Sequence, residues 1–108
     1  MGLGGRMAGP MMDPRSRFFM ILASDQRLKI LDFLKQGEKS TAQLIEAVGL
    51  DASVVSRHMM MLRNMGVVVA RKEGVALYFR IADERIFQII EIATKIIQDW
   101  FKMNRDFF

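Results

Sequence analysis

The feature that most constrains this chain is a change of hydrophobic period at Gly66. From Val67 to Lys72 and from Val75 to Ile81 the sequence is rich in β-branched and aromatic residues, with Glu73-Gly74 between the two runs. Two such runs joined by an acidic residue and a glycine predict a tight β-hairpin. Leu77, Phe79 and Ile81 alternate with Ala76, Tyr78 and Arg80, so one face of the hairpin should be buried. On both sides of this segment the period is helical.

Asp13-Pro14 is a helix-start signal, and the first helix should run to about Ala23. Ser24 or Asp25 caps a second helix whose stripe is Leu28, Leu31 and Leu34, ended by Gly37. Ser40 to Gln43 has capping-box spacing and opens a short third helix, with Leu44, Ile45 and Val48 inward and Gly49 at its close. Asp51 can cap a fourth helix that runs to about Met65. From about Asp83 the helical period returns, with Ile86, Ile90, Ala93, Ile97 and Trp100 on an a/d-like spacing. Four helices, a hairpin and a last helix predict a mainly α fold with a small β-hairpin, a winged helix-turn-helix.

The length of 108 residues fits one domain, here 13–108. Residues 1–12 carry Gly2, Gly4, Gly5, Gly9 and Pro10 without an apolar period, and are expected to form a flexible arm. No uncharged stretch exceeds seven residues, so no transmembrane helix or membrane partner is expected, and the absence of cysteine fits a cytoplasmic protein. There is no cysteine and one histidine, which excludes thiolate metal sites, disulfides, thiol nucleophiles and a His-rich zinc site within one chain. No cofactor, metal or catalytic residue is expected, and the chain is not read as an enzyme.

The net charge of +4 is localised. Between Ala52 and Ile81 lie Arg57, Arg63, Arg71, Lys72 and Arg80 against the single acid Glu73, and the rest of the chain is neutral. A field concentrated in this way attracts a phosphate backbone. In a helix-turn-helix the second helix enters the major groove. In the fourth helix Val55, Met59 and Leu62 form the inward stripe, leaving Ala52, Ser53, Ser56, Arg57 and Met60 for the DNA. Serine hydroxyls bond phosphates or base edges, and arginine bonds guanine through two parallel donors. In the hairpin, Arg71, Lys72 and Arg80 are expected on the backbone, from the flanks because Glu73 opposes phosphate at the tip. Ser40 and Thr41 sit where amides and a hydroxyl could hold a phosphate, or could simply cap the third helix. His58 falls beside Val54, Met61 and Met65 and is expected to be a packed, hydrogen-bonded side chain. The run Met59, Met60, Met61 reads as packing rather than a soft-metal site.

The last helix carries more apolar surface than one small domain can cover. Ile86, Ile89, Ile90, Ile97, Trp100 and Phe101, with Phe18 and Phe19 of the first helix, are expected at a homodimer interface.

The segments LASDQRLKILDFLKQGE and LIEAVGLDASVVSRHMMMLRNMGVVVARKEGVALYFRI resemble the ArsR/SmtB repressors over about 22–97. The resemblance rests on the Leu-Ala-x-x-x-Arg-Leu-x-Ile-Leu opening at Leu22, on Ser56-x-His58, and on the Leu-Arg-x-x-Gly-Val entry at Leu62. It implies a homodimer with the first and last helices at the interface, repression of transcription, and release of DNA when an inducer binds, often a metal ion or metalloid. Two departures qualify it. Where the family places metal-binding cysteines this chain reads Lys39, Ser40, Thr41 and Ala42, and no histidine follows Asp83 and Glu84 in the last helix. The expectation is therefore a homodimeric repressor of a palindromic operator in double-stranded DNA, whose small-molecule inducer, if it has one, is not a metal at the family's usual positions. The alternative is a winged-helix protein-interaction module that docks through its apolar last helix.

Overall fold

The computed structural model describes residues 12–104. The expected arm, 1–12, lies outside the described residues except for Met12. Five helices and three short strands follow one another: α1 (Pro14–Leu22), α2 (Asp25–Leu34), β1 (Lys39–Ser40), α3 (Thr41–Val48), α4 (Ala52–Asn64), β2 (Val68–Glu73), β3 (Ala76–Ile81) and α5 (Arg85–Asn104).

Local chemistry sets most of these boundaries. The Asp13 carboxylate accepts from the Arg15 amide ahead of Pro14, and Ser24 Oγ accepts from the Arg27 amide. The capping box at α3 is complete: Ser40 Oγ accepts from the Gln43 amide, and Gln43 Oε1 accepts from the Ser40 amide. Gly49 closes α3 at φ 69°, a conformation that costs side chains with a Cβ. Asp51 holds the N-cap position of α4, but its side chain makes no capping bond. The predicted cap is thus correct in place only.

The sheet has one strand more than the expected hairpin. Its order is β1-β3-β2, all antiparallel, with Lys39 opposite Phe79 and Ser40 opposite Tyr78. A two-residue strand carries no period that a sequence can display. Its effect is to staple the wing to the entry of α3. The loop is also one residue further on than expected. Glu73 pairs with Ala76, so the turn is Gly74-Val75 rather than Glu73-Gly74. Gly74 takes φ 63° at the first turn position, the requirement of a type II′ loop, which matches the twist of the flanking strands.

The core joins Ile30, Leu31 and Leu34 of α2, Leu44 of α3, Val55, Met59 and Leu62 of α4, and Val67, Val68, Phe79 and Ile81 of the wing. Each fully buried aliphatic side chain contributes about 1.5–3 kcal/mol, so the α4 stripe fixes which face of that helix is left outside. Burial on β3 fades toward the tip: Phe79 and Ile81 are buried, whereas Leu77 is exposed. Only Ile86 of the twenty residues of α5 is buried. Ile86, one of the residues expected at the interface, packs into the protomer's own core. Ile90 and Phe18 also pack against that core, and each keeps part of its surface.

Candidate nucleic-acid interface

Helices α3 and α4 are joined by the three residues Gly49, Leu50 and Asp51. With Val55, Met59 and Leu62 buried, Ala52, Ser53, Ser56, Arg57 and Met60 of α4 are all exposed. Five of the residues expected at DNA thus share one outward face. Beside that face a groove of about 500 Å³ separates α4 from the wing. Thr41, Ser56, Met60, Arg63 and Leu77 line it. Arg63 was not among the expected contacts, yet it follows Ser56 and Met60 at i+7 and i+3, the spacing of one helical face. That spacing was legible in the sequence.

The wing cations divide. Arg71 donates to both carboxylate oxygens of Glu38, at 2.9 and 2.7 Å, and to Glu73, and its guanidinium lies 4.6 Å from the Tyr78 ring centre. Hydrogen bonding to Arg71 holds the Glu38 carboxyl below its usual range, and the two carboxylates raise Arg71 above its own. Arg71, expected at the DNA backbone, is thereby a strut between the wing and the segment before β1. Its sequence partner, Glu38, lies 33 residues away and could not be read from spacing. Lys72 and Arg80 are exposed and have no ion pair among the described residues. In the β2–β3 register Lys72 stands opposite Leu77 and Arg80 opposite Val69, so the two cations lie on opposite faces of the wing.

Ser40 and Thr41 are both engaged in the fold. The Ser40 hydroxyl accepts in the capping box, and Thr41 Oγ1 donates to the Leu77 carbonyl at 3.5 Å. Ser40 thus caps α3, whereas the Thr41 hydroxyl ties α3 to the wing and does not cap it.

His58 is packed as expected, and its partner is Arg27, itself 9% exposed. Arginine only donates, so His58 Nδ1 accepts from Arg27 Nη1 at 3.2 Å and the imidazole carries its proton on Nε2. Arg27 Nε donates to the Ile21 carbonyl, and Nη1 also reaches Met61 Sδ at 3.5 Å. Burial, then the charges of Arg27 and Arg57, lower the His58 pKa. This buried guanidinium has no carboxylate partner among the described residues, and it ties α1, α2 and α4 together through neutral acceptors.

Among the described residues no group of three or more His, Asp or Glu side chains is placed to hold a metal ion. Asp83 is instead engaged by the Arg85 guanidinium and amide, which hold its carboxyl at about 2. No helix of the described residues is long and apolar enough to cross a membrane.

A helix-turn-helix with an outward polar helix, flanked by a basic three-stranded wing, defines a winged helix-turn-helix DNA-binding protein. Residues 24–69 match the arsR family of bacterial regulatory proteins. A Streptomyces lividans protein named as a probable mercury resistance operon repressor is 34% identical over 87 residues, covering 81% of this chain and 70% of its own length. The crystal structure of Rv0081 from Mycobacterium tuberculosis superposes with a TM-score of 0.76 at 32% identity, over 82% of this chain and 89% of that one. The solution structure of the homodimeric winged helix-turn-helix DNA-binding domain Mb0332 from Mycobacterium bovis gives 0.74 at 32%, over 88% and 87%. The chain belongs to the arsR family. It is a DNA-binding transcriptional regulator and not an enzyme, and the family does not favour the protein-interaction alternative.

Proposed function

We propose that the chain is a cytoplasmic homodimeric repressor that occupies a palindromic operator in double-stranded DNA. The observation that carries this reading is the outward face of α4, where Ser53, Ser56 and Arg57 are exposed away from the buried stripe and Ser56 lines the groove toward the wing. Arg57 and the two serines read base edges in the major groove, while Ala52 and Met60 offer apolar contact to thymine methyls. Arg63, Lys72 and Arg80 follow the phosphates. Ser40 and Thr41 present the first turn of α3 to the backbone once their hydroxyls have served the cap and the wing. Repression follows from occlusion of the promoter.

The homodimer reading is supported by the homodimeric state of the Mb0332 domain and by the apolar face of α5 and α1. Phe19, Ile89, Ile97, Trp100 and Phe101 are the expected interface residues that remain exposed, joined by Ile92 and Ile96, with Phe18 and Ile90 at the inner edge. The Streptomyces lividans relative is named as a probable repressor of a mercury resistance operon. This chain has no cysteine, and Asp83 is bound to Arg85, so an inducer, if it has one, is not a metal at the family's usual positions.

Fluorescence anisotropy with DNA from upstream of the chain's own gene, against a scrambled duplex, tests the reading over a salt series. Tight, selective binding that weakens steeply with salt is expected. Equal and weak binding to both duplexes would contradict operator binding there.

A further inference from the structure

The second groove of interest is on the other side of α4. Between α1 and the C-terminal half of α4 lies an open groove of about 380 Å³, within the size range of small-molecule sites. Four thioether side chains line it: Met12, Met20, Met61 and Met65, with Ile21 beside them. Methionine is unbranched and polarizable, and it moulds to apolar guests of varied shape. The polar members are Arg17 and Asn64. Arg17 is exposed and has no ion pair among the described residues, because Asp13, one turn earlier, is taken by Arg15 at 2.7 Å.

Four sulfurs together raise the thought of a soft metal ion, but the electrostatics oppose it. Arg17 lines the groove, and Arg27 donates into Met61 Sδ from behind. Two guanidinium groups repel a cation and attract an anion. An apolar wall with an unmatched arginine at its rim is complementary to an organic carboxylate with an apolar body.

The groove is also joined to the DNA-reading face. Arg27 holds the Ile21 carbonyl and Met61 Sδ, both from groove residues, and with the same guanidinium it holds His58 Nδ1, next to Arg57. A guest that parts α1 from α4 disturbs two of the three acceptors of Arg27, the Ile21 carbonyl on α1 and Met61 Sδ on α4, and so loosens its hold on the DNA-reading helix.

We propose that the α1–α4 methionine groove is the effector site of this regulator, and that it takes an apolar monocarboxylate whose carboxylate pairs with Arg17. Occupancy lowers DNA affinity, and by linkage DNA lowers carboxylate affinity by the same factor, between about 5- and 150-fold in typical couplings. The coupling half rests on the DNA-binding reading; the binding half does not.

The experiment uses the full chain labelled with 13C at the methionine methyls, titrated with octanoate, with 2-naphthoate, and with octanol as the uncharged control. At least one carboxylate should shift the Met12, Met20, Met61 and Met65 methyls saturably and leave Met60 and Met103 in place. Arg17→Gln should weaken that carboxylate about tenfold, the scale of a lost charged hydrogen bond, without changing octanol binding. Met20→Glu, at an exposed position, should abolish carboxylate binding. Silence toward both carboxylates, equal binding by Arg17→Gln, or shifts spread evenly to Met60 and Met103 would each overturn the site. With DNA, saturating carboxylate should weaken the wild-type complex and leave the Arg17→Gln complex unchanged. Carboxylate binding without any effect on a measurable DNA complex would overturn the coupling. A protein that takes the carboxylate but binds no DNA in its absence would overturn the DNA-binding reading and the coupling built on it, and would uphold the site.

Discussion

At the residue scale, Arg27 is the least ordinary side chain in the molecule. A nearly buried cation with no carboxylate is costly unless its donors are met. Here they meet a carbonyl, an imidazole and a thioether, and no buried side-chain nitrogen or oxygen among the described residues is left unpartnered. Replacing Arg27 with Met should destabilise the fold by about 1–3 kcal/mol, because the Ile21 carbonyl and His58 lose their donor. Chemical denaturation measures this. His58 gives the pH dependence. Its folded pKa is lowered, so below about pH 6.5 the unfolded chain binds more protons than the folded one. Stability is complete above that pH and falls as pH drops toward the folded value. His58→Asn keeps an acceptor and removes the titration, so its denaturation midpoint should change less between pH 7 and pH 5 than the wild type's. Parallel pH profiles would refute this role. The sequence placed His58 in a packed environment. Its partner could not be read there, because Arg27 lies 31 residues away on another helix.

At the element scale, what the sequence displayed well was period and punctuation. The stripe of α4 and the capping box of α3 stand where Val55, Met59, Leu62, Ser40 and Gln43 put them. Ser40→Ala should cost about 1 kcal/mol by thermal or chemical melting, since it removes one partner of a reciprocal cap. What the sequence did not display was pairing over distance. Strand β1 and the Arg71–Glu38 strut both join the segment before α3 to the wing, and both depend on residues more than thirty positions apart. The strut also alters how the wing is tested. Neutralising Lys72 should flatten the salt dependence of DNA binding by about one unit of slope. Arg71→Gln should loosen the wing, and therefore reduce thermal stability as well as affinity. A Lys72→Gln variant with an unchanged salt slope would remove Lys72 from the interface.

At the scale of the whole molecule, α5 is the element that the protomer alone does not explain. Its first third seals the core through Ile86, Phe87 and Ile90, and its remainder carries Ile92, Ile96 and Ile97 at 54–63% exposure. A second copy is the natural cover. Ile97→Glu leaves the core untouched, so it should keep the fold and shift sedimentation from dimer to monomer. Losing the second recognition helix should then weaken operator binding far more than losing one contact. Arg57→Ala, by comparison, should cost about 1–3 kcal/mol and relax specificity at one base position.

The most direct test of the central claim is selection of binding sites by the wild-type protein from a random duplex library. A homodimer that reads DNA through two copies of α4 should enrich inverted half-sites whose centres lie about one helical turn, ~34–36 Å, or a multiple of it, apart. Enrichment of a single unrepeated half-site, or of no sequence at all, would contradict it.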